Sequence, residues 1–142
     1  MAAKNPFNRQ YRLVRSGIRA GLREIGGKLK KTAMDGIKNP PKTGNIYIRF
    51  GKRHQASAPG EYPANMTGRL RRGITATIEN TTTMKFGADA PYAVYLQQTN
   101  HPDKQSSWKK IAPRPFLTKA HRAVEPEFET MMETNMARNL NK

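Results

Sequence analysis

The chain has 142 residues, with 26 Lys+Arg against 10 Asp+Glu and a formal charge of +16. That length fits one domain of ordinary size, and that charge attracts nucleic acid, an anionic membrane surface or an acidic protein without choosing among them. Cysteine is absent, which excludes disulfide scaffolds, thiol catalysis and thiolate metal sites. Hydrophobic residues make up 36% of the chain, beside 11 Gly and 10 Pro, so a lean core with long loops is expected. No stretch approaches the roughly 18–20 apolar residues of a membrane span, and residues 1–30 carry Arg and Gly where a signal peptide has its apolar run. The expectation is a soluble protein made in the cytosol, with no membrane partner.

Residues 1–53 hold 14 basic and 2 acidic residues, and residues 54–142 hold 12 and 8, so the excess charge belongs to the N-terminal third. There Phe7, Tyr11, Val14, Ile18, Leu22, Ile25 and Leu29 recur at steps of three and four. They predict a helix over 7–38 with one apolar stripe. Arg12, Arg15, Arg19, Arg23 and Lys30 fall largely off the stripe and make a basic flank. Asn5 and Pro6 suit its start, and Pro40 with Pro41 prevents it from continuing. Gly17, Gly21, Gly26 and Gly27 argue against high intrinsic stability, so the helix needs a partner surface.

Residues 45–98 read as a sheet region. Asn45–Phe50 is a short β-rich run, Leu70–Ile78 places Leu70, Ile74, Ala76 and Ile78 on one face, and Met84–Ala88 completes a hairpin through the turn at Asn80–Thr83. These runs are expected to share one sheet, and Thr43-Gly44 and Thr67-Gly68 each to open a strand. Between them, residues 51–68 show no pattern and are expected to be a mobile loop. Pro91–Leu96 reads as either a short helix or another strand, and a helical turn running into Gln97 and Gln98 is the preferred expectation. Asn100–Pro113 is a polar, basic loop with the lone Trp108. Phe116, Leu117, Ala120, Val124, Phe128, Met131, Met132 and Met136 predict a C-terminal helix over 114–136, bent near Pro126 and carrying Glu125, Glu127, Glu129 and Glu133.

No constellation for catalysis emerges. His54, His101 and His121 are far apart and lack carboxylates at ligand spacing. Glu61 has no paired carboxylate or nucleophile nearby, and a loop role or a partner contact suits it better than general-base work. Gly26-Gly27-Lys28 and Gly51-Lys52 lack phosphate-loop spacing, and no serine sits in a Gly-x-Ser-x-Gly context. Neither an enzyme nor a cofactor is expected. Lys52 and Arg53 with His54, Arg69, Arg71 and Arg72, and Lys109 and Lys110 beside Trp108, are candidate phosphate contacts. A plain solvated basic surface accounts for them equally well, since no helix-turn-helix, RNA-recognition or zinc pattern accompanies them.

The run Ala58-Pro59-Gly60-Glu61-Tyr62-Pro63 leading to Thr67-Gly68-Arg69-Leu70 and Ile74 resembles a signature of the tail-completion, or head-to-tail joining (neck), proteins of tailed bacteriophages. Pro91-Tyr92-Ala93-Val94-Tyr95-Leu96 and Ala112-Pro113-Arg114-Pro115-Phe116-Leu117 follow in that family's order. The similarity spans most of residues 7–135. It departs at Gln97-Gln98-Thr99-Asn100, where the family usually reads Glu-Phe-Gly-Thr.

The resulting expectation is a single α+β domain over 1–142, a small antiparallel sheet packed by a long N-terminal helix and a C-terminal helix. The resemblance implies a ring of six or twelve copies in the virion neck, joining the tail to the DNA-filled capsid around the DNA channel. Its implied partners are the head-side connector, adaptor or stopper proteins and the tail terminator or tail tube proteins, with non-specific contact to genomic DNA. Subunits in such a ring meet through heterologous contacts. Arg12, Arg15, Arg19 and Arg23 are expected to face Glu125 and Glu129 of a neighbour, with Glu61 and Tyr62 on an arm reaching the next subunit or ring. The alternative expectation is a small basic protein that coats or packages DNA.

Overall fold

The computed structural model describes residues 6–40, 42–65, 67–97 and 112–142. Trp108, Lys109 and Lys110, and with them the expected loop contact to phosphate, lie outside the described residues. The architecture is α+β: a long N-terminal helix, two small antiparallel hairpins and a C-terminal helical arm.

Helix α1 spans Pro6–Lys38, and its 33 residues reach about 50 Å at 1.5 Å per residue. It stops two residues before Pro40, as the proline pair requires. The C-terminal arm is α4 (Phe116–Val124), one 3-10 turn (Glu125–Glu127) and α5 (Phe128–Leu140). The expected interruption falls on Pro126, and the helix runs four residues beyond its expected end. The arm returns antiparallel along α1. Met136 lies at Gly17, Met132 at Gly21, and Lys28 pairs with Glu127.

This seam corrects the apolar stripe inferred above. The buried residues of α1 are Gly17, Gly21, Ile25, Gly26, Leu29, Ala33 and Ile37, all but Gly26 on a straight i, i+4 ridge, while Phe7 and Tyr11 stay exposed. A Cβ at Gly17 would sit 2.8 Å from Met136 Sδ and 3.1 Å from its Cα, and one at Gly21 2.6 Å from Met132 Sδ. The glycines that lower helix propensity are therefore what lets α1 and α5 approach, a tertiary gain that outweighs a local cost.

The two hairpins form separate sheets, which corrects the expectation of one sheet. In the first, β1 (Ile46–Arg49) pairs antiparallel with β2 (Lys52–Gln55). Phe50 and Gly51 make its two-residue turn, both at positive φ (52° and 70°), the backbone that suits the right-handed twist of paired strands. The first five residues of the expected patternless loop, 51–55, therefore belong to an ordered β-hairpin. Beyond them, Ser57, Gly60, Glu61 and Tyr62 are tied down as described below.

In the second hairpin, β3 (Ile74–Ile78) pairs with β4 (Met84–Ala88). The partners Ile74/Ala88, Ala76/Phe86 and Ile78/Met84 put apolar side chains on one face, with Thr75, Thr77 and Lys85 on the other. The apolar face packs on α1 and α4. Leu70 does not join this strand: Arg69–Arg72 is one helical turn, α2. Thr67-Gly68 thus opens a helical turn rather than a strand, with Gly68 at φ 73° as the tight turn requires. A further turn, α3 (Ala93–Gln97), follows.

The core has two joined clusters. Ala33, Ile37, Leu70, Ile74, Ala90, Ala93, Leu96, Phe116 and Ala120 form one, and Ile25, Leu29, Val124 and Met131 the other. Phe86 of β4 packs against both.

Candidate functional site

The motif loop that carries the resemblance is fastened within its own chain. Glu61 accepts hydrogen bonds from Ala58 N (2.7 Å), from Thr43 Oγ1 (2.5 Å) and at 3.4 Å from Thr43 N. Thr43 precedes β1 and Ala58 follows β2, so the carboxylate clasps the two ends of the first hairpin. Gly44 N to Ala56 O and Ala56 N to Asn45 O, both 2.9 Å, extend the ladder down to that clasp. The bonds from Thr43 and Ala58 favour the ionised form and hold the Glu61 carboxyl below the ordinary value of 4.5. Tyr62 packs over Gly36 of α1 and joins the first core cluster. Lys119 Nζ stands 5.1 Å over its ring centroid, and burial pushes its phenol pKa up. The expectation of a free arm led by Glu61 and Tyr62 is therefore corrected.

Arg114 is the residue the sequence reading undervalued. Its Nε donates to Ser57 Oγ (2.7 Å), its Nη2 to Ser57 O (2.5 Å) and its Nη1 to Ala112 O (2.8 Å). Ser57 is buried, and Gly60 N donates to Pro113 O at 3.0 Å. Two motifs far apart in sequence thus meet at one guanidinium. Nearby, the side-chain oxygen of Gln97 accepts from Leu117 N at 3.1 Å, supplying an acceptor to the first turn of α4. A pocket of about 520 Å³ opens beside this junction, lined in part by Tyr47, Arg49, Pro63, Leu70, Leu96 and Arg114.

Above the clasp the first hairpin stands clear of the core. Every residue of β1 is exposed, with Ile48 at 78% and Phe50 at 86% of their full accessibility. Tyr47 and Arg49 border the pocket, so pleat alternation turns Ile46 and Ile48 to the opposite face. Their cross-strand partners there are Gln55 and Arg53. Lys52 and Arg53 are exposed on β2, and Arg69 and Arg72 on α2. Arg71 is half-buried, with its Nε lacking an acceptor among the described residues. The candidate phosphate contacts are thus divided between two elements rather than gathered on one face.

A separate site lies between α1 and α5. Arg12, Arg15, Arg19 and Arg23 share one side of α1 with Arg138 and Lys142 opposite, enclosing an open groove of about 900 Å³ floored by Ser16, Ala20, Asn135 and Asn139. The floor is satisfied internally: Ser16 Oγ donates to Asn139 Oδ1 (3.1 Å), Asn139 Nδ2 to Asn135 O (2.9 Å), and Asn135 Nδ2 to Met131 O (2.8 Å) and to the Glu24 carboxylate. Among the described residues the acidic segment makes one ion pair with α1, Lys28 to Glu127, while Glu125 pairs with His121 at 3.7 Å and Glu129 is exposed. The arginine row and Glu125 or Glu129 are not brought together within the chain.

Among the described residues no group of three or more His, Asp or Glu is placed to hold a metal ion, and no helix is long and apolar enough to cross a membrane. Comparison with protein-family models, with curated proteins and with solved structures finds no match to this chain.

Proposed function

We propose that the chain is a structural virion protein of a tailed bacteriophage, forming a homo-oligomeric ring in the neck that joins the tail to the DNA-filled capsid. The motif resemblance motivates this reading, and one structural observation supports it most: the β1–β2 hairpin presents Ile46, Ile48 and Phe50 to solvent. A two-stranded hairpin is marginal alone, and exposed apolar faces of this kind mark contact surfaces. A neighbouring copy or a connector protein covering that face would recover about 1.5–3 kcal/mol for each large side chain buried. Contact between the hairpin of one copy and a different face of the next is heterologous and closes into a ring when the rotation allows.

The test is electron microscopy of particles from a host whose phage lacks the gene, complemented with the natural chain or with Ile48→Ser and Phe50→Ser together. Separate DNA-filled heads and free tails without complementation, restored to whole particles by the natural chain but not by the hairpin variant, is the expected result. Intact tailed particles in the deletion would overturn the joining role and leave DNA coating as the reading. Full rescue by the hairpin variant would remove the hairpin from the joint.

A further inference from the structure

We propose that the groove between α1 and α5 is a binding site for the phosphate backbone of duplex DNA, read without regard to base sequence. It is distinct from the hairpin and from the ring reading. Arg12, Arg15, Arg19 and Arg23 follow at steps of 3, 4 and 4, which places them within about 80° of one another over about 16 Å of helix. Duplex DNA carries on the order of ten charges over that length. Arg138 and Lys142 close the opposite wall, and no Asp or Glu lines the groove.

Among the described residues none of these six cations forms an ion pair. Arg15, Arg19 and Arg23 are like-charged neighbours one turn apart, an arrangement that weakens an isolated helix and is relieved when a polyanion lies along it. The lining chooses among polyanions. An acidic protein segment needs apolar anchors for affinity, and Ala20 is the lone apolar lining residue. A single strand needs aromatic platforms for its bases, and none lines the groove. A duplex backbone needs only cationic heads at phosphate reach. The groove offers no side-chain amide to base edges, because Asn135 and Asn139 are buried and bonded into the floor.

The experiment is fluorescence anisotropy of the full chain with a labelled random duplex of about 30 bp, at salt from about 50 to 200 mM. The variants are Arg15→Glu with Arg19→Glu, and Lys52→Glu with Arg53→Glu on the hairpin, which change the net charge equally. Unlabelled duplex and polyglutamate serve as competitors. Helicity is followed by circular dichroism, and Arg15→Gln with Arg19→Gln carries the test if the glutamate pair disturbs it. The groove variant is expected to lose at least about tenfold in affinity and to lower the salt slope by about 2, from roughly 0.9 per phosphate contact. The hairpin variant is expected to keep most of both. Equal losses in the two variants would show bulk charge attraction and overturn the site, as would absence of duplex binding. Polyglutamate displacing the probe better than duplex would overturn it in favour of an acidic protein partner. None of these results bears on whether heads and tails are joined.

Discussion

The two hairpins of this chain have the same secondary structure and opposite means of support. The β3–β4 hairpin turns Ile74, Ala76, Ile78, Met84, Phe86 and Ala88 to one face by register, and that face is covered by α1 and α4. Its loop is five residues long with an internal turn, Glu79 N donating to Thr83 O at 3.0 Å. The β1–β2 hairpin has apolar residues opposite polar ones, Ile46 with Gln55 and Ile48 with Arg53, so neither face can become a core. A two-residue turn at its tip and the Glu61 clasp at its base hold it instead. Apolar burial fixes an element against its own chain, whereas polar closure fixes an element and leaves its apolar surface for another molecule.

The comparison breaks most visibly at matched isoleucines. Ile74 is fully buried and Ile48 is 78% exposed. Ile74→Ala is expected to lose about 3–4 kcal/mol through lost transfer energy and the cavity left behind, and Ile48→Ala to stay within about 0.5 kcal/mol. Denaturant unfolding of both variants measures the contrast. Comparable losses at the two positions would mean the first hairpin is packed after all.

Arg114→Ala comes next in size. It removes three hydrogen bonds and leaves the buried Ser57 hydroxyl and carbonyl without their donor. A loss of about 2–3 kcal/mol is expected, read by thermal or denaturant unfolding. Arg114→Lys is expected to recover less than half, because one ammonium cannot reproduce the planar fork that reaches Ser57 and Ala112 together. Full recovery by lysine would reduce the junction to a simple charge.

Periodicity made α1, the bend at Pro126, the β3–β4 hairpin and the turn at 93–97 readable in advance, because each declares itself in apolar spacing or a proline. The errors have physical causes. The α1–α5 seam runs through Gly17 and Gly21, which have no side chain to contribute to a hydrophobic pattern. Strand β2 reads Lys-Arg-His-Gln, so nothing in its composition suggested a strand; the usable signal was Gly51 following a β-rich run. Leu70 fell into apparent register with Ile74 and concealed a helical turn, for which Gly68 was the marker. The arginine row was visible on α1, but the groove exists only where α5 adds Arg138 and Lys142 from the far end of the chain. No local pattern encodes that meeting, and none encodes the junction of Arg114 with Ser57, which lies 57 residues away.

The smallest expected effect is also specific to the polar hairpin. Glu61 has its folded pKa lowered by the bonds from Thr43 and Ala58, so it binds fewer protons folded than unfolded over the acid range. Its contribution to stability is therefore complete above the ordinary value of 4.5 and is lost as pH falls through the lowered folded value. Glu61→Gln removes that titration, since the amide carries no charge at any pH and offers one acceptor oxygen where the carboxylate offered two. The gap in thermal midpoint between the natural chain and Glu61→Gln should be constant near neutrality and narrow on going from about pH 5 to pH 3. A difference between two chains cancels the other carboxylates, which titrate alike in both. Hydrogen exchange locates the effect: at neutral pH the amides of 46–55 should exchange faster in the variant and those of 74–88 should not. A gap that persists unchanged into acid, or faster exchange in both hairpins, would mean that Glu61 supports the whole domain rather than closing the one hairpin that burial leaves unsupported.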